Sequence, residues 1–210
     1  PDQNTMKWLI KYMCPLFETI KVENRILHNL EFHNERLNRS RKHLFGCTDI
    51  IDLNELISIP EDLSDDVLKC RVVYSERIEE IKFANYVRRK IKTLKLVECD
   101  NIVYTYKYVD RKIFSDLMDS VKADDILIIK NGKITDTSFS NIVFFDGTKW
   151  VTPAQPLLRG TKREELLRND TISQENICPR DLSRFEKATL INAMVDFGEC
   201  PMIEISNIIF

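Results

Sequence analysis

Apolar and polar positions alternate along this chain with two periods, and the switches between them cut it into short elements. Residues 17–22 are β-branched and aromatic and read as a strand. Glu23, Asn24 and Arg25 turn it into residues 26–30, an early hairpin. Leu30, Leu37 and Leu44 then recur at seven-residue spacing, which predicts a helix over 31–45 that Gly46 stops. Residues 50–57 and 60–68 read as helix and connection, with Ser64, Asp65 and Asp66 capping a short turn. Residues 70–74 and 78–85 are strands joined through Ser75-Glu76-Arg77. The mixed, basic stretch 87–95 reads as a linker. It divides the chain into a small N-terminal α/β domain, 1–95, and a second domain, 96–210.

In the second half the strand pattern is stronger. Residues 101–109, NIVYTYKYV, read as a strand whose alternation sets Ile102, Tyr104, Tyr106 and Tyr108 against Val103, Thr105, Lys107 and Val109. Lys107 is then the one cation on a small or apolar face. Such a lysine either snorkels to water or has a depressed pKa and does chemistry. Ile113, Phe114, Leu117, Met118 and Val121 make 111–121 helical, and 125–130 is a buried strand closed by Asn131-Gly132. Strands at 141–145 and 149–152 flank Asp146-Gly147, a strong hairpin signal. Helices follow at 164–168 and 179–188, a strand or strand end at 189–194, and a last hairpin or edge strand at 202–210.

Candidate chemistry clusters around that hairpin. Thr135, Thr137, Ser138 and Ser140 precede it with Asp136 among them, and Arg159-Gly160-Thr161-Lys162-Arg163 follows it. A Gly-Thr pair opening a helix offers free N–H groups and a hydroxyl to an anion, and Lys162 and Arg163 add positive charge. The arrangement suits a phosphate site joined to an acidic residue; it is also what an ordinary hairpin with solvated turns looks like.

Charge and composition remove other classes. Lysine and arginine number 31 against 33 acids, a net charge of −2, which argues against broad nucleic-acid binding and makes Arg88, Arg89, Lys90 and Lys92 a solvated face. No apolar run is long enough to span a bilayer. No basic start leads into an apolar signal core, so export is not indicated and a cytoplasmic protein is expected. The six cysteines show no C-x-x-C spacing and read as reduced and structural. His28, His33 and His43 complete no ligand set, so no metal is expected.

Six pieces in order resemble the class IV aminotransferases, the pyridoxal-phosphate enzymes of fold type IV. Phe17-Glu18-Thr19-Ile20-Lys21 resembles F-E-T-x-R, and His33-Asn34-Glu35-Arg36-Leu37 resembles H-x-x-R-L. Lys107 stands where the family carries its cofactor-binding lysine. Residues 135–142 resemble T-E-x-x-x-S-N-I, Thr152-Pro153 matches T-P, and residues 158–163 resemble L-P-G-I-T-R. Within the family, Lys107-Tyr108-Val109-Asp110-Arg111 and 190–194 look most like aminodeoxychorismate lyase, and Lys112 replaces the tyrosine of branched-chain aminotransferases. Asp136 stands where glutamate is usual, and the loop at 158–163 lacks the family's proline.

The resemblance implies a two-domain α/β (α+β) fold with a C-terminal pseudo-barrel that binds pyridoxal 5'-phosphate, a small amino substrate and a homodimer. It implies Lys107 as the catalytic residue. Arg36, Lys107, Asp136, Ser140, Asn141, Thr161 and Lys162 would bind the cofactor, and Lys21, Arg159 and Asn192 the substrate. The activity implied is release of pyruvate and 4-aminobenzoate for folate synthesis. The alternatives are an aminotransferase for branched-chain or D-amino acids and a non-catalytic cofactor-binding protein.

Overall fold

A computed structural model of the chain describes residues 14–63 and 66–210, so Ser64 and Asp65 of the expected turn cap lie outside the described residues. The chain divides into two units. The first holds the residues up to Val87 together with Tyr106–Asp110, and the second holds Arg88–Thr105 and Arg111–Phe210. The expected boundary near residue 95 lies inside the second unit, and Lys107 belongs to the first.

The first unit is a four-stranded antiparallel sheet with helices. Its strands are β1 (Leu16–Glu23), β2 (Ile26–Leu27), β3 (Leu68–Tyr74) and β4 (Ile78–Asn85), in the order β2-β1-β3-β4. The β1–β2 connection is a two-residue turn with Asn24 and Arg25 at φ of 50° and 61°, the mirror-image turn that matches strand twist. Helix α1 (Leu30–Ser40) runs on into a π-helical turn, Arg41–Phe45, which Gly46 ends at φ 73°. The fully buried Arg41 there donates to the Glu76 carbonyl from Nε and Nη2, at 3.1 and 2.7 Å, and to the Asp49 carboxylate at 2.8 Å. Expected helix at 50–57 shrinks to one turn, α2 (Leu53–Leu56), capped by the Asp52 side chain on Asn54 N–H. The even-numbered residues of β1, Leu16, Ile20 and Val22, face a core with Leu37, Val72 and Tyr74. Glu18 sits on that same face.

The second unit is a branched sheet. Its strands are β5 (Leu94–Glu98), β6 (Asp125–Lys130), β7 (Lys133–Thr137), β8 (Asn141–Phe145), β9 (Trp150–Pro153), β10 (Ser173–Glu175), β11 (Lys187–Ile191), β12 (Met202–Glu204) and β13 (Ile208–Ile209). They run in the order β10-β9-β8-β7-β6-β5-β13, and β11 pairs with both β8 and β12. Along one edge β8 pairs with β11 over its whole length; along the other it meets β7 at Asp136↔Asn141 and β9 at Phe144↔Val151. Asn141 therefore lies at the fork where β7 and β9 part. Two helices complete the unit, α3 (Lys112–Asp119) and α4 (Thr161–Arg168).

Three expectations fail here. Residues 101–109 form no strand; only Tyr108 bridges, opposite Leu16. The aromatic content that suggested a strand instead anchors two cores: Tyr104 packs edge-on to Phe114 at 4.7 Å, while Tyr106 and Tyr108 pack on the core of the first unit. The supposed linker runs into β5, which begins at Leu94 and whose partners β6 and β13 come later in the chain. The expected helix at 179–188 is a 3₁₀ turn, Pro179–Arg184, that gives way to β11. Among the described residues no helix is long and apolar enough to cross a membrane.

Candidate active site

In the first unit a buried ionic cluster gathers around Glu18. Residues 33 and 36 lie three apart on α1 and so share a face. Arg36 grips the Glu18 carboxylate with two donors, Nε on Oε1 at 2.9 Å and Nη2 on Oε2. The His33 imidazole reaches Oε2 with Nδ1 at 2.6 Å, and the Tyr74 hydroxyl lies 3.5 Å from Oε1. Burial alone would push the Glu18 carboxyl up, but the Arg36 charge and the His33 hydrogen bond reverse this and hold it at about 2. An ionised carboxylate only accepts, so His33 carries its proton on Nδ1. Burial drives the His33 pKa down, against the hydrogen bond and charge of Glu18.

Lys107 reaches the same strand by backbone pairing. Phe17 N–H donates to the Lys107 carbonyl at 2.9 Å and Val109 N–H to the Pro15 carbonyl at 2.9 Å. The half-buried Lys107 ammonium stands over the Phe17 ring, 4.6 Å from its centroid. Lys107 is thus held one residue from Glu18 along β1. Lys21 is buried on the opposite face of β1 and pairs with Glu23 at 2.9 Å.

In the second unit the hydroxyl turn and the loop before α4 close around Asp136. Its Oδ1 accepts from Asn141 Nδ2 at 2.7 Å and its Oδ2 from Leu158 N–H at 2.9 Å. Burial pushes the Asp136 carboxyl up to about 6, against the pull of these hydrogen bonds and of the Arg163 charge. The hydroxyls that suggested a phosphate cradle bond within the protein: Thr135 Oγ1 donates to the Ile128 carbonyl at 2.9 Å and Thr137 Oγ1 to the Ser140 carbonyl at 3.1 Å. Ser140 N–H donates to Thr137 Oγ1 at 3.1 Å, and the Ser140 carbonyl accepts from Thr137. Asn192 donates to Ser140 Oγ at 3.0 Å while its own carbonyl oxygen holds Met194 N–H. Arg111 ties the turn from α3, donating to the Ser138 carbonyl and to the Tyr104 hydroxyl.

At the start of α4, Thr161 and Lys162 are buried. The Lys162 ammonium pairs with Glu165 at 2.8 Å and Asp196 at 3.5 Å. Arg163 is buried too and donates to the Pro153 carbonyl at 2.9 Å, and burial lowers its pKa. Arg159 stays exposed. Sequence reasoning gave no role to Glu18, His33 or Leu158. The first two stood inside quoted motifs, yet the signal that Glu18 orders Arg36 lies in a contact across 18 residues of chain.

Residues 100–201 match the family described as amino-transferase class IV. A Haemophilus influenzae protein described as uncharacterized is 40% identical over 87% of this chain and 98% of its own length. A structure from Haemophilus somnus 129pt, described as a putative 4-amino-4-deoxychorismate lyase, is 32% identical with a TM-score of 0.80, covering 89% of this chain and 99% of that one. The chain belongs to the class IV aminotransferase family. Members of this family depend on pyridoxal phosphate. The fold of this member extends to a Mycobacterium tuberculosis structure, a hypothetical aminotransferase in its PLP-bound form. That structure is 17% identical with a TM-score of 0.74, covering 93% of this chain and 82% of that one.

Proposed function

We propose that this class IV aminotransferase family member is a pyridoxal-phosphate enzyme that eliminates pyruvate from aminodeoxychorismate and leaves 4-aminobenzoate. The observation that carries the substrate is the 32% identity, over 89% of this chain, to the protein described as a putative 4-amino-4-deoxychorismate lyase. The lyase-like residues 107–111 and 190–194 support it.

Each unit carries residues of the kinds that pyridoxal phosphate needs. A phosphate needs cations and a positive helix end: Arg36 is a buried guanidinium already ordered by Glu18, and Thr161 is buried in the first turn of α4, at the positive end of its dipole. A pyridine nitrogen needs an acid partner: Asp136, titrating at about 6, is ionised at neutral pH. An aldehyde needs an amine, and Lys107 is a half-buried one.

When bound, the cofactor supplies an electron sink for the bonds of the substrate's α-carbon. Lys107 is the amine that would hold the cofactor through Nζ, and the same amine would carry a proton to and from the substrate. Asp136 keeps the pyridine nitrogen protonated by a charge-assisted hydrogen bond. Arg36 anchors the phosphate and so fixes the ring's orientation. Arg159, Lys21 and Asn192 meet the polar groups of the substrate. The working form is a homodimer, as in the family.

The fate of the amino group tests the reaction. With aminodeoxychorismate and no keto acid, pyruvate should appear over many turnovers, and borohydride should fix the cofactor on Lys107 in a peptide map. One turnover with an amino donor, resumed only on adding 2-oxoglutarate, would establish an aminotransferase instead. Label on another lysine would remove Lys107 from its role.

A further inference from the structure

Asn141 was expected to bind the cofactor, but its amide is spent inside the protein. One Nδ2 hydrogen goes to Asp136 Oδ1 at 2.7 Å and the other to the Leu158 carbonyl at 2.9 Å. The orientation of the amide is fixed by this pair, because a flipped carbonyl would face two oxygens. Leu158 closes the ring: its N–H donates to the other oxygen of Asp136 at 2.9 Å. Asn141 thereby joins three segments, the end of β7, the start of β8 and the loop before α4.

Gly160 makes room for this arrangement. Its φ is −70°, an ordinary value, so no left-handed conformation calls for glycine here. What calls for it is space: a Cβ at Gly160 would overlap Asn141 Oδ1. The glycine that opens the helix is therefore needed for the approach of the Asn141 amide as well as for any anion.

We infer that Asn141 and Gly160 form a latch that positions the Asp136 carboxylate and locks the 157–160 loop against it, so that Asn141 acts through Asp136 and not on the cofactor itself. The inference deepens the proposed function, since it rests on Asp136 serving the pyridine nitrogen. The latch itself stands on the protein alone. The charged group that acts on Asp136 is Arg163 of α4; the remaining partners are the neutral donors of Asn141, Leu157 and Leu158.

The test follows the Asp136 carboxyl carbon by NMR in the full-length protein, with and without added pyridoxal phosphate. In the wild type, the Asn141 side-chain amide protons should be slow to exchange and should shift with the Asp136 midpoint near 6. Asn141→Ala should raise that midpoint by about one pH unit, the scale of losing one hydrogen bond to a charged group. Gly160→Ala should raise it similarly, yet add nothing in the Asn141→Ala background. An unmoved midpoint in Asn141→Ala, or additive effects in the double variant, overturns the latch. Should a variant fail to fold, fast-exchanging wild-type amide protons that ignore the Asp136 titration overturn it equally. The two readings separate on adding cofactor: a latch intact by these measures, with an Asp136 midpoint that pyridoxal phosphate leaves unchanged, refutes the pyridine role alone.

Discussion

Both units bury a carboxylate, and the two titrate in opposite directions. Glu18 is held at about 2 and Asp136 is pushed up to about 6. Depth does not separate them, since both are withdrawn from water. Partners do. Glu18 receives two donors from one guanidinium and a third from an imidazole, so a full positive charge lies at hydrogen-bond distance. Asp136 receives neutral amide donors, and the cation that acts on it, Arg163, spends its own hydrogen bonds on Pro153, Gln174 and Glu164. Of these two buried acids, the one that stays charged at low pH is the one a charge answers directly. The first unit thus holds a permanent ion pair, and the second holds a carboxylate that switches near the pH at which enzymes work.

Breaking the pair should have the largest effect. Glu18→Ala leaves the Arg36 guanidinium buried and uncompensated, which costs about 3–5 kcal/mol of stability. Urea unfolding at neutral pH measures it. Glu18→Gln separates charge from shape. Because the folded pKa is depressed from 4.5 to about 2, the Glu18 contribution, roughly 3 kcal/mol, is present above 4.5 and lost as pH falls through the folded value. The gap between wild type and Glu18→Gln should therefore narrow below pH 4.5. A gap of constant size would mean that packing, not the ion pair, holds this cluster together.

The opposite sign is expected of Asp136. Its folded pKa is raised from 3.8 to about 6, so its contribution is present below 3.8 and lost as pH rises through 6. Wild-type stability should fall by up to about 3 kcal/mol across that window from this group alone. Asp136→Asn cannot titrate and should lose this dependence. It turns an N–H₂ toward one of the two donors, which adds a pH-independent cost of about 1–3 kcal/mol. An unchanged pH slope in the variant would show that the two buried acids do not differ in the way their partners imply.

How much of this was legible in the sequence varies with the range of the contact. Strands β1, β3, β4, β6 and β8 could be read because a two-residue period and a neighbouring turn are local facts. Asn131-Gly132 does form the turn that closes β6, with φ values of 50° and 71°. Strand β5 could not be read, because Leu94 and Leu96 stand among lysines and their partners lie 31 or more residues away. The stretch 101–109 misled because tyrosines that favour a strand equally favour two separate cores. Of the candidate site, Arg36 was visible only through motif resemblance, whereas Lys107 also stood out locally as a lone cation on an apolar face and Asp136 as an acid among hydroxyls. Nothing in local spacing joins Glu18 to Arg36, or gives Asn141 the room that Gly160 leaves.

The smallest expected effect compares how a helix ends in each unit. The α1 run stops on Gly46 at φ 73°. Helix α4 stops on Asp170 at φ 54°, with Asp170 N–H donating to the Leu167 carbonyl at 3.2 Å and Thr171 N–H to the Leu166 carbonyl at 2.9 Å. These two bonds are the Schellman pattern, whose left-handed residue is most often glycine. A side chain in that conformation costs about 1 kcal/mol, and an acid at a helix C-terminus faces the negative end of the dipole. Asp170 is exposed, so its removal disturbs no core. Asp170→Gly should therefore stabilise the protein by about 0.5–1 kcal/mol, after the extra freedom of glycine in the unfolded chain is set against it. Gly46→Ala is the mirror experiment. Its Cβ would meet nothing within 4 Å, so the loss of about 1 kcal/mol measures backbone strain alone. Urea midpoints that move in opposite directions would confirm that the two helix ends differ by one side chain at one φ. A neutral Asp170→Gly beside a destabilising Gly46→Ala would instead show that the Asp170 carboxylate offsets its own strain.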